Sequence, residues 1–240
     1  MVKVVVVTGA GSGVGMELVF QMATAGHKVY AITRSEEKTR HLEAEISRKN
    51  LMSGITVVKC DITSTDDVTL LSEKLKRDGV LVNVLVNSAG LLVNKPFVNL
   101  SEEDWLSVYR TNVFGAVNMI KALHPFMKRE GGEEKSQVVN ISSIGGVQGS
   151  AKFAGLSAYS SSKAALCGLT ECLAEEFRQD GIQVNALALG SVDTEMFKEA
   201  FPGYEAATTA EKMASFIMEF ALRSGSLFNG KVISVSSSTP

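Results

Sequence analysis

The stretch from Val4 to Gly15 reads VVVVTGAGSGVG and lies near the start of a chain of 240 residues. Its four β-branched valines are typical of a short buried strand, and a helical pattern over residues 14–25 follows the glycines. Glycines at a strand-to-helix junction let the backbone turn tightly and approach a pyrophosphate, which the free N–H groups of the helix start attract. The stretch therefore predicts a phosphate-binding loop, with a glycine-rich turn that binds nothing as the alternative.

The spacing of these glycines differs from the common dinucleotide fingerprint. They follow the pattern Thr8-Gly9-x-x-x-Gly13-x-Gly15, and Gly-x-Gly-x-x-Gly is absent from the loop. The position of the loop, after the first predicted strand and before the first predicted helix, favours a nucleotide site all the same.

Outward from this loop, short apolar runs alternate with helical patterns along the whole chain. Runs rich in Val and Ile without regular polar alternation are typical of strands covered by helices on both faces. The predicted strands are 4–8, 28–33, 56–60, 82–87, 137–141, 183–189 and 232–235, and the predicted helices are 14–25, 35–49, 65–77, 102–128, 157–179 and 208–224.

This alternation predicts an α/β fold, a three-layer doubly wound Rossmann fold with a seven-stranded parallel sheet. We find no linker or repeat, so residues 1–240 are predicted to form a single domain with its ligand site at the carboxyl ends of the strands. Two segments without strong periodicity, 144–156 and 190–207, follow strands and are predicted to be loops beside that site.

Composition excludes several classes of function. With 24 Lys and Arg against 26 Asp and Glu, the net charge is −2, which predicts binding neither to nucleic acid nor to an anionic membrane. The valine run is far shorter than the ~20 apolar residues that span a bilayer, so a cytoplasmic protein is expected. Cys60, Cys167 and Cys172 have no metal-ligand spacing and are interpreted as reduced, buried side chains, with no metal site predicted.

A pair of residues suited to acid–base chemistry opens a predicted helix. Tyr159 and Lys163 are four positions apart and would share a helix face, although such pairs also arise as ordinary surface contacts. An ammonium beside a tyrosine stabilises the phenolate, and lowering the tyrosine pKa by about three units would need about 4 kcal/mol. Ser142 and Ser143 precede the pair, and a hydroxyl from either would polarise the same substrate oxygen.

Taken together, the motifs resemble the short-chain dehydrogenase/reductase family, in its compact single-domain branch, over nearly the whole chain. The resemblance is carried by the glycine loop, Asp61 after the third strand, Asn87-Ser88-Ala89-Gly90 after the fourth, Asn112 in Thr-Asn-Val-Phe-Gly, Ser143 in Asn-Ile-Ser-Ser, Tyr159-x-x-x-Lys163, and Gly190-x-x-x-Thr194.

The resemblance implies a role for each matched residue. Tyr159 would be the general acid or base and Ser143, rather than Ser142, the donor that orients the carbonyl. Lys163 would bind the ribose and lower the tyrosine pKa, and Asn112 would hold a relay water. The implied cofactor-binding residues are Gly9, Ser12, Gly13, Val14, Gly15, Thr33, Arg34, Asp61, Ile62, Asn87, Ala89, Gly90, Tyr159, Lys163, Gly190, Val192 and Thr194.

The end of the second predicted strand indicates which nicotinamide cofactor binds. NAD sites usually place an acid there, but this strand ends in Thr33-Arg34-Ser35, which also resembles NADP-preferring members of the family. Arg34 offers a planar, charged donor suited to a 2′-phosphate. NADP is therefore predicted over NAD; the alternative is that Arg34 is only solvated, and Glu36 lies close enough to weigh against a phosphate.

The sequence departs from the family pattern at three further places. Leu189 stands where proline is usual, 16 positions separate Ser143 from Tyr159, and Val235-Ser236-Ser237-Ser238 replaces the usual Asp-Gly-Gly. The separation between Ser143 and Tyr159 is longer than is usual in the family, which implies a longer substrate-side loop. The two predicted loops, which would form a lid over the site, carry six apolar residues: Phe153, Leu156, Met196, Phe197, Phe201 and Tyr204. These residues either line a pocket or only pack within the lid, and packing is the favoured interpretation for most of them. Lys152 is interpreted as solvated.

The sequence thus predicts an oxidoreductase that transfers a hydride between NADP(H) and a small carbonyl or secondary-alcohol substrate. A dinucleotide-binding sensor without catalysis is the alternative, and a sugar epimerase or dehydratase would need a larger carboxyl-terminal domain and a different glycine loop. The resemblance also implies a homodimer or homotetramer paired through the predicted helices 102–128 and 157–179.

Overall fold

The valine strand, β1 (Val4–Thr8), lies in the middle of a seven-stranded sheet. The computed structural model describes residues 1–129, 134–224 and 227–236. Within them the other strands are β2 (Lys28–Thr33), β3 (Ile55–Lys59), β4 (Val84–Asn87), β5 (Ser136–Ser143), β6 (Ile182–Leu189), β7 (Val192–Asp193), β8 (Thr208–Thr209) and β9 (Val232–Val235). The helices are α1 (Gly13–Thr24), α2 (Glu36–Arg48), α3 (Thr65–Arg77), α4 (Glu102–Tyr109), α5 (Gly115–Met127), α6 (Ser157–Glu176), α7 (Glu195–Ala200) and α8 (Ala210–Arg223).

The sheet has the order β3-β2-β1-β4-β5-β6-β9, and every pairing in it is parallel. The predicted seven-stranded parallel sheet is confirmed. The chain builds outward from β1 to β3 on one side and then returns to place β4 on the other. This reversal opens a crevice above the carboxyl ends of β1 and β4.

Helices cover both faces of the sheet, as β1 itself demonstrates. Val5 and Val7 point into a core that includes Leu18 of α1 and Ile217 of α8, whereas Val6 points into the opposite core. That second core contains side chains from α3 and α5. Since alternate strand residues face opposite sides, an uninterrupted valine run requires two apolar layers.

Serine caps set the starts of three helices. Ser35 and Ser101 accept backbone N–H bonds at the starts of α2 and α4, and Asp104 completes a capping box. At α3 the cap is Ser64, one residue before the Thr65 at which the sequence predicted the helix to begin. α1 differs, because Ser12 makes no side-chain cap and its first turn carries no acidic residue.

The helix predicted over 102–128 is interrupted. A π-helical segment, Arg110–Phe114, separates α4 from α5, and Asn112 within it is buried. A π turn accommodates one extra residue in a helix and often marks a functional site. Hydrophobic periodicity did not reveal it, because a single five-residue segment is too short to leave a period of its own.

The segment 190–207, predicted without regular structure, contains β7 and α7, and β7 pairs with β8. The prediction was wrong there because elements of two and six residues are too short for a periodic signal. β6 continues through Leu189, and the Gly190 N–H donates to the Val235 carbonyl at 3.0 Å. Ser237 and Ser238 lie outside the described residues. Cys60 and Cys167 are buried as predicted, but Cys172 lies on the exposed face of α6, so the prediction of burial was wrong for Cys172. No helix in the described part of the chain has the length and apolar character to span a membrane.

Candidate active site

A cavity of about 850 Å³ lies above the carboxyl ends of β1, β4, β5 and β6. Nearly all of the residues that the sequence assigned to catalysis or cofactor binding line it. They are Gly9, Ser12, Gly13, Val14, Gly15, Thr33, Arg34, Asp61, Ile62, Ala89, Gly90, Ser143, Tyr159, Lys163, Gly190, Val192 and Thr194. Asn87 and Asn112 are the two that do not.

The glycine loop forms one wall of the cavity and lies against the end of β4. The Thr8 hydroxyl accepts hydrogen bonds from the N–H groups of Ser88 and Ala89, each at 3.1 Å. Gly9 has φ 69°, and a Cβ on it would lie 2.7 Å from the Ala89 Cα. Two chain segments therefore approach too closely for any side chain at this position.

The same loop fits the pyrophosphate of a dinucleotide. A Cβ at Gly15 would lie 2.3 Å from the Gly9 carbonyl oxygen, so the loop folds tightly over the start of α1. The uncapped first turn of α1, without a carboxylate, leaves N–H groups and the positive end of the helix dipole facing the cavity. These groups would hold the two phosphates.

Tyr159, Ser143 and Lys163 meet at the opposite wall. The Ser143 hydroxyl lies close enough to the Tyr159 hydroxyl to lower its pKa, and the Lys163 Nζ lies 5.7 Å from the centre of the tyrosine ring. Lys163 also donates to the Ile141 carbonyl at 2.8 Å. The Ser142 hydroxyl instead donates to the Lys163 carbonyl at 2.9 Å, so of the two serines Ser143 is the one beside Tyr159.

Burial controls the ionisation of this group. It raises the pKa of Tyr159 from 10.0 to about 12, against a smaller lowering by the neighbouring Ser143 hydroxyl. It lowers the pKa of Lys163 from 10.5 to about 8. The expected lowering of the tyrosine pKa by Lys163 is not found, because removing the phenolate charge from water has the larger effect.

Asn112 acts from behind the cavity wall. Its amide nitrogen donates to the Leu91 carbonyl and to the Ser162 hydroxyl, both at 2.9 Å, and its oxygen accepts from the Leu91 N–H at 2.7 Å. The π-helical segment thereby joins the loop after β4 to α6. The predicted relay water would use the second lone pair of this oxygen.

The side chain of Asn87 lies between strands instead of on the cavity wall. It donates to the Asn140 side chain at 2.9 Å, and Asn140 donates to the Thr170 hydroxyl at 2.9 Å. Sequence reasoning could not separate this internal bridge from a cofactor contact, because the strand end is polar in either case.

At the end of β2, two basic side chains line the cavity. Arg34 is exposed there, and Lys38, which the sequence analysis missed, packs its side chain over Gly11. The Lys38 Nζ lies 3.3 Å from a carboxylate oxygen of Glu195 in α7. Helical spacing gave no signal for Lys38, because Arg34 lies before the N-cap Ser35 and is not part of α2.

Glu36, the acid closest to Arg34 in the sequence, is not part of the cavity wall. Its carboxylate lies 4.0 Å from the Arg40 guanidinium and 3.7 Å from the Lys59 ammonium. Asp61 does line the cavity, and its carboxylate accepts hydrogen bonds from the N–H and the hydroxyl of Thr63.

One end of the cavity, called the far end below, is apolar. It is formed by the loop after β4 and the segments 144–156 and 190–207. Asn94 donates to the Ala200 carbonyl at 2.7 Å, and the Lys95 N–H donates to the Gly155 carbonyl at 3.0 Å. These bonds tie the loop after β4 to the segments 144–156 and 190–207. All six apolar residues that the sequence left between pocket and packing line the cavity: Phe153, Leu156, Met196, Phe197, Phe201 and Tyr204. The favoured interpretation as packing was wrong.

Comparison with known proteins agrees with this geometry. The family described as short chain dehydrogenase matches residues 3–205. The chain is 30% identical over 244 aligned positions to the 3-oxoacyl-acyl-carrier-protein reductase FabG of Thermotoga maritima, covering 97% of this chain and 96% of the relative. It is 35% identical over 199 positions to the acetoacetyl-CoA reductase of Rhizobium meliloti, covering 82% and 77%.

Solved structures have the same fold. ElxO with NADP bound superposes with a TM-score of 0.84 at 26% identity, covering 98% of this chain and 97% of the other. A putative gluconate dehydrogenase from Agrobacterium tumefaciens superposes with a TM-score of 0.85 at 24% identity, covering 97% and 94%, which supports the fold alone.

Proposed function

Because the chain belongs to the short-chain dehydrogenase family, we propose that it reduces a small ketone or aldehyde to an alcohol with NADPH, through Ser143, Tyr159 and Lys163. The observation that carries this proposal is that Ser143 and Tyr159 stand together on the wall of the cavity, with the buried ammonium of Lys163 beside the tyrosine ring.

Each residue of this group has a distinct task. The Ser143 hydroxyl holds the carbonyl oxygen, and the Tyr159 hydroxyl donates its proton to that oxygen. A bound reduced nicotinamide would supply the hydride to the carbonyl carbon, so the carbonyl gains one hydride and one proton. The charge of Lys163 stabilises the phenolate that remains. A Tyr159 pKa of about 12 keeps the acid protonated at neutral pH, which is the form that donates a proton in a reduction.

We also propose NADP(H) as the cofactor. Arg34 would face the 2′-phosphate, with Lys38 beside it in a pair with Glu195 that a phosphate would have to replace, while Glu36 is engaged with cations outside the cavity. The NADP in the ElxO structure supports the choice. The glycine loop and the cavity-lining residues that the resemblance assigned, from Asp61 to Thr194 but without Asn87, would hold the remainder.

The names of the relatives suggest β-keto thioesters as the first substrates to test. The segments 144–156 and 190–207 would contact the substrate. Self-association through α4, α5 and α6 is proposed as well, on the resemblance and on the exposed apolar side chains Leu106 and Phe114.

The test compares Tyr159→Phe with the parent protein. We expect turnover with NADPH to fall by about 10²- to 10⁴-fold, since general acid catalysis contributes that much. The Kd for NADPH, measured by calorimetry, should stay within about threefold. Tyr109→Phe, which removes a hydroxyl outside the cavity, is the matched control and should keep full turnover. Near-full turnover in Tyr159→Phe contradicts the mechanism, whereas a parent protein that binds NADPH but reduces no carbonyl favours the sensor.

A further inference from the structure

We propose that the far end of the cavity selects a neutral, ring-bearing ketone or aldehyde and disfavours carbonyls attached to a phosphorylated carrier. This inference rests on the proposed function and narrows its substrate class. It departs from the substrates that the names of the relatives suggest.

The first observation is a cluster of four aromatic rings with Phe201 at its centre. The ring centroid of Phe201 lies 5.3 Å from that of Phe197, 6.3 Å from that of Phe153 and 6.3 Å from that of Tyr204. Two of the three pairs are edge-to-face. Rings in this arrangement offer both faces and edges to an incoming ring, which is a favourable contact beyond the area buried.

These apolar side chains are incompletely covered. Phe153 is 39% exposed, Met196 38% and Tyr204 74%, all at the cavity. Exposed apolar groups that converge on a concave site are typical of ligand binding and unfavourable in water. A substrate ring would cover them.

The second observation is the distribution of charge. Among the cavity-lining residues that the structure describes, the cations are Arg34, Lys38 and Lys163. The first two lie at the end of β2 and the third is beside Tyr159. The apolar end instead carries Glu205, which forms no ion pair within the described ranges.

The lysines that flank this end in the sequence are already engaged. Lys95 pairs with Asp104 at 2.8 Å, and Lys198 pairs with Asp193 at 2.7 Å. Lys152 donates to the Val147 carbonyl at 2.6 Å. A phosphorylated carrier entering here would meet the Glu205 carboxylate and find each of these cations with another partner.

The third observation is that the ring cluster is held in place. The hydrogen bonds Asn94 to Ala200 and Lys95 to Gly155 fix the segments that carry Phe201 and Phe153. Gly155 has φ 86°, and a Cβ there would lie 2.0 Å from the Asn94 side-chain oxygen. The aromatic wall is therefore a built surface on a fixed frame.

Three β-keto compounds test the proposal with NADPH. Ethyl benzoylacetate is neutral and aromatic, ethyl acetoacetate is neutral and aliphatic, and acetoacetyl-CoA carries phosphates. We expect kcat/KM for ethyl benzoylacetate to exceed that for ethyl acetoacetate by about tenfold, in line with one aromatic contact. Acetoacetyl-CoA should be the poorest of the three.

Two variants identify the cause. Phe201→Leu should remove most of the tenfold preference for the aromatic ester and leave the Kd for NADPH unchanged. Phe216 is an exposed ring outside the cavity, so Phe216→Leu should keep the preference. Glu205→Gln should raise kcat/KM for acetoacetyl-CoA about threefold and leave both esters within about twofold. Melting temperatures show whether each variant is folded.

The outcomes separate this inference from the proposed function. If acetoacetyl-CoA is the best substrate and Phe201→Leu leaves the order unchanged, the inference is wrong and the reductase stands. If none of the three is reduced, calorimetry of ethyl benzoylacetate with the NADPH-loaded protein decides. Binding that weakens about tenfold in Phe201→Leu supports the inference without the reaction, and the absence of binding overturns it.

Discussion

Two tyrosines, Tyr159 and Tyr30, share an unusual resistance to ionisation. Burial raises the pKa of each to about 12, and for Tyr30 the hydrogen bond to Asp78, 2.8 Å long, adds to the effect. The folded protein thus keeps protons that the unfolded chain loses near pH 10. Stability from these groups is complete below pH 10 and is lost as the pH rises towards 12.

An absorbance titration of the phenolates measures this directly. The chain has four tyrosines, and we expect two of them to ionise only near pH 12. Tyr159→Phe and Tyr30→Phe should each remove one late step, but only Tyr159→Phe should abolish turnover. A Tyr159 step near pH 7 would mean that Lys163 outweighs burial.

Arg34 offers a second prediction at this scale. Arg34→Ala should raise the Kd for NADPH about 10- to 100-fold, because a charged hydrogen bond to phosphate is lost, and should leave the Kd for NADH within about threefold. Arg40→Ala, an exposed arginine paired with Glu36 on the same helix, is the control. Equal weakening of both cofactors would show that Arg34 does not read the 2′-phosphate.

At the scale of elements, the loop between β1 and α1 and the end of β4 constrain each other. Gly9 and Gly79 both have positive φ, 69° and 61°, but only Gly9 has backbone atoms where a Cβ would lie. Gly79→Ala should therefore cost about 1 kcal/mol from backbone strain alone.

Gly9→Ala should cost clearly more and abolish NADPH binding, because Ala89 must move away from the loop. Thermal or urea unfolding gives the free energies, and calorimetry gives the affinity. Equal losses in the two variants would mean that the close approach to Ala89 is not required.

The elements that could be predicted are those with a repeated pattern. Valine runs and capped amphipathic helices give the sheet, its direction and the place of the site, since parallel strands end at one edge. The π turn at Asn112 and the short helix α7 could not be predicted, because neither repeats often enough to leave a period.

The residues of the site also differ in whether the sequence could predict them. Tyr159, Lys163 and the glycine loop stand in local patterns, whereas Lys38 and Phe201 reach the cavity only through long-range packing. The choice between Ser142 and Ser143 needed the position of the hydroxyls, because adjacent strand residues face opposite sides of the sheet.

At the scale of the whole molecule, α4 and α6 pack together and leave apolar side chains outside. Phe97, Leu106 and Phe114 are exposed in and beside α4. We expect light scattering to give a multiple of 25.6 kDa. Combining Leu106→Glu with Phe114→Glu should shift the mass to 25.6 kDa, because buried charge opposes pairing, whereas Leu70→Glu on α3 should not. A monomeric parent protein contradicts the proposed assembly.

The ion pair between Lys38 and Glu195 spans the groove above the glycine loop and connects α2 with α7. If a dinucleotide binds as proposed, its entry and release would require this exposed pair to open, and salt screens such pairs. Ionic strength would then change the rate of cofactor exchange. If release of the cofactor limits the rate, added salt should speed turnover. If occupancy of the cofactor site limits the rate, the same salt should slow turnover.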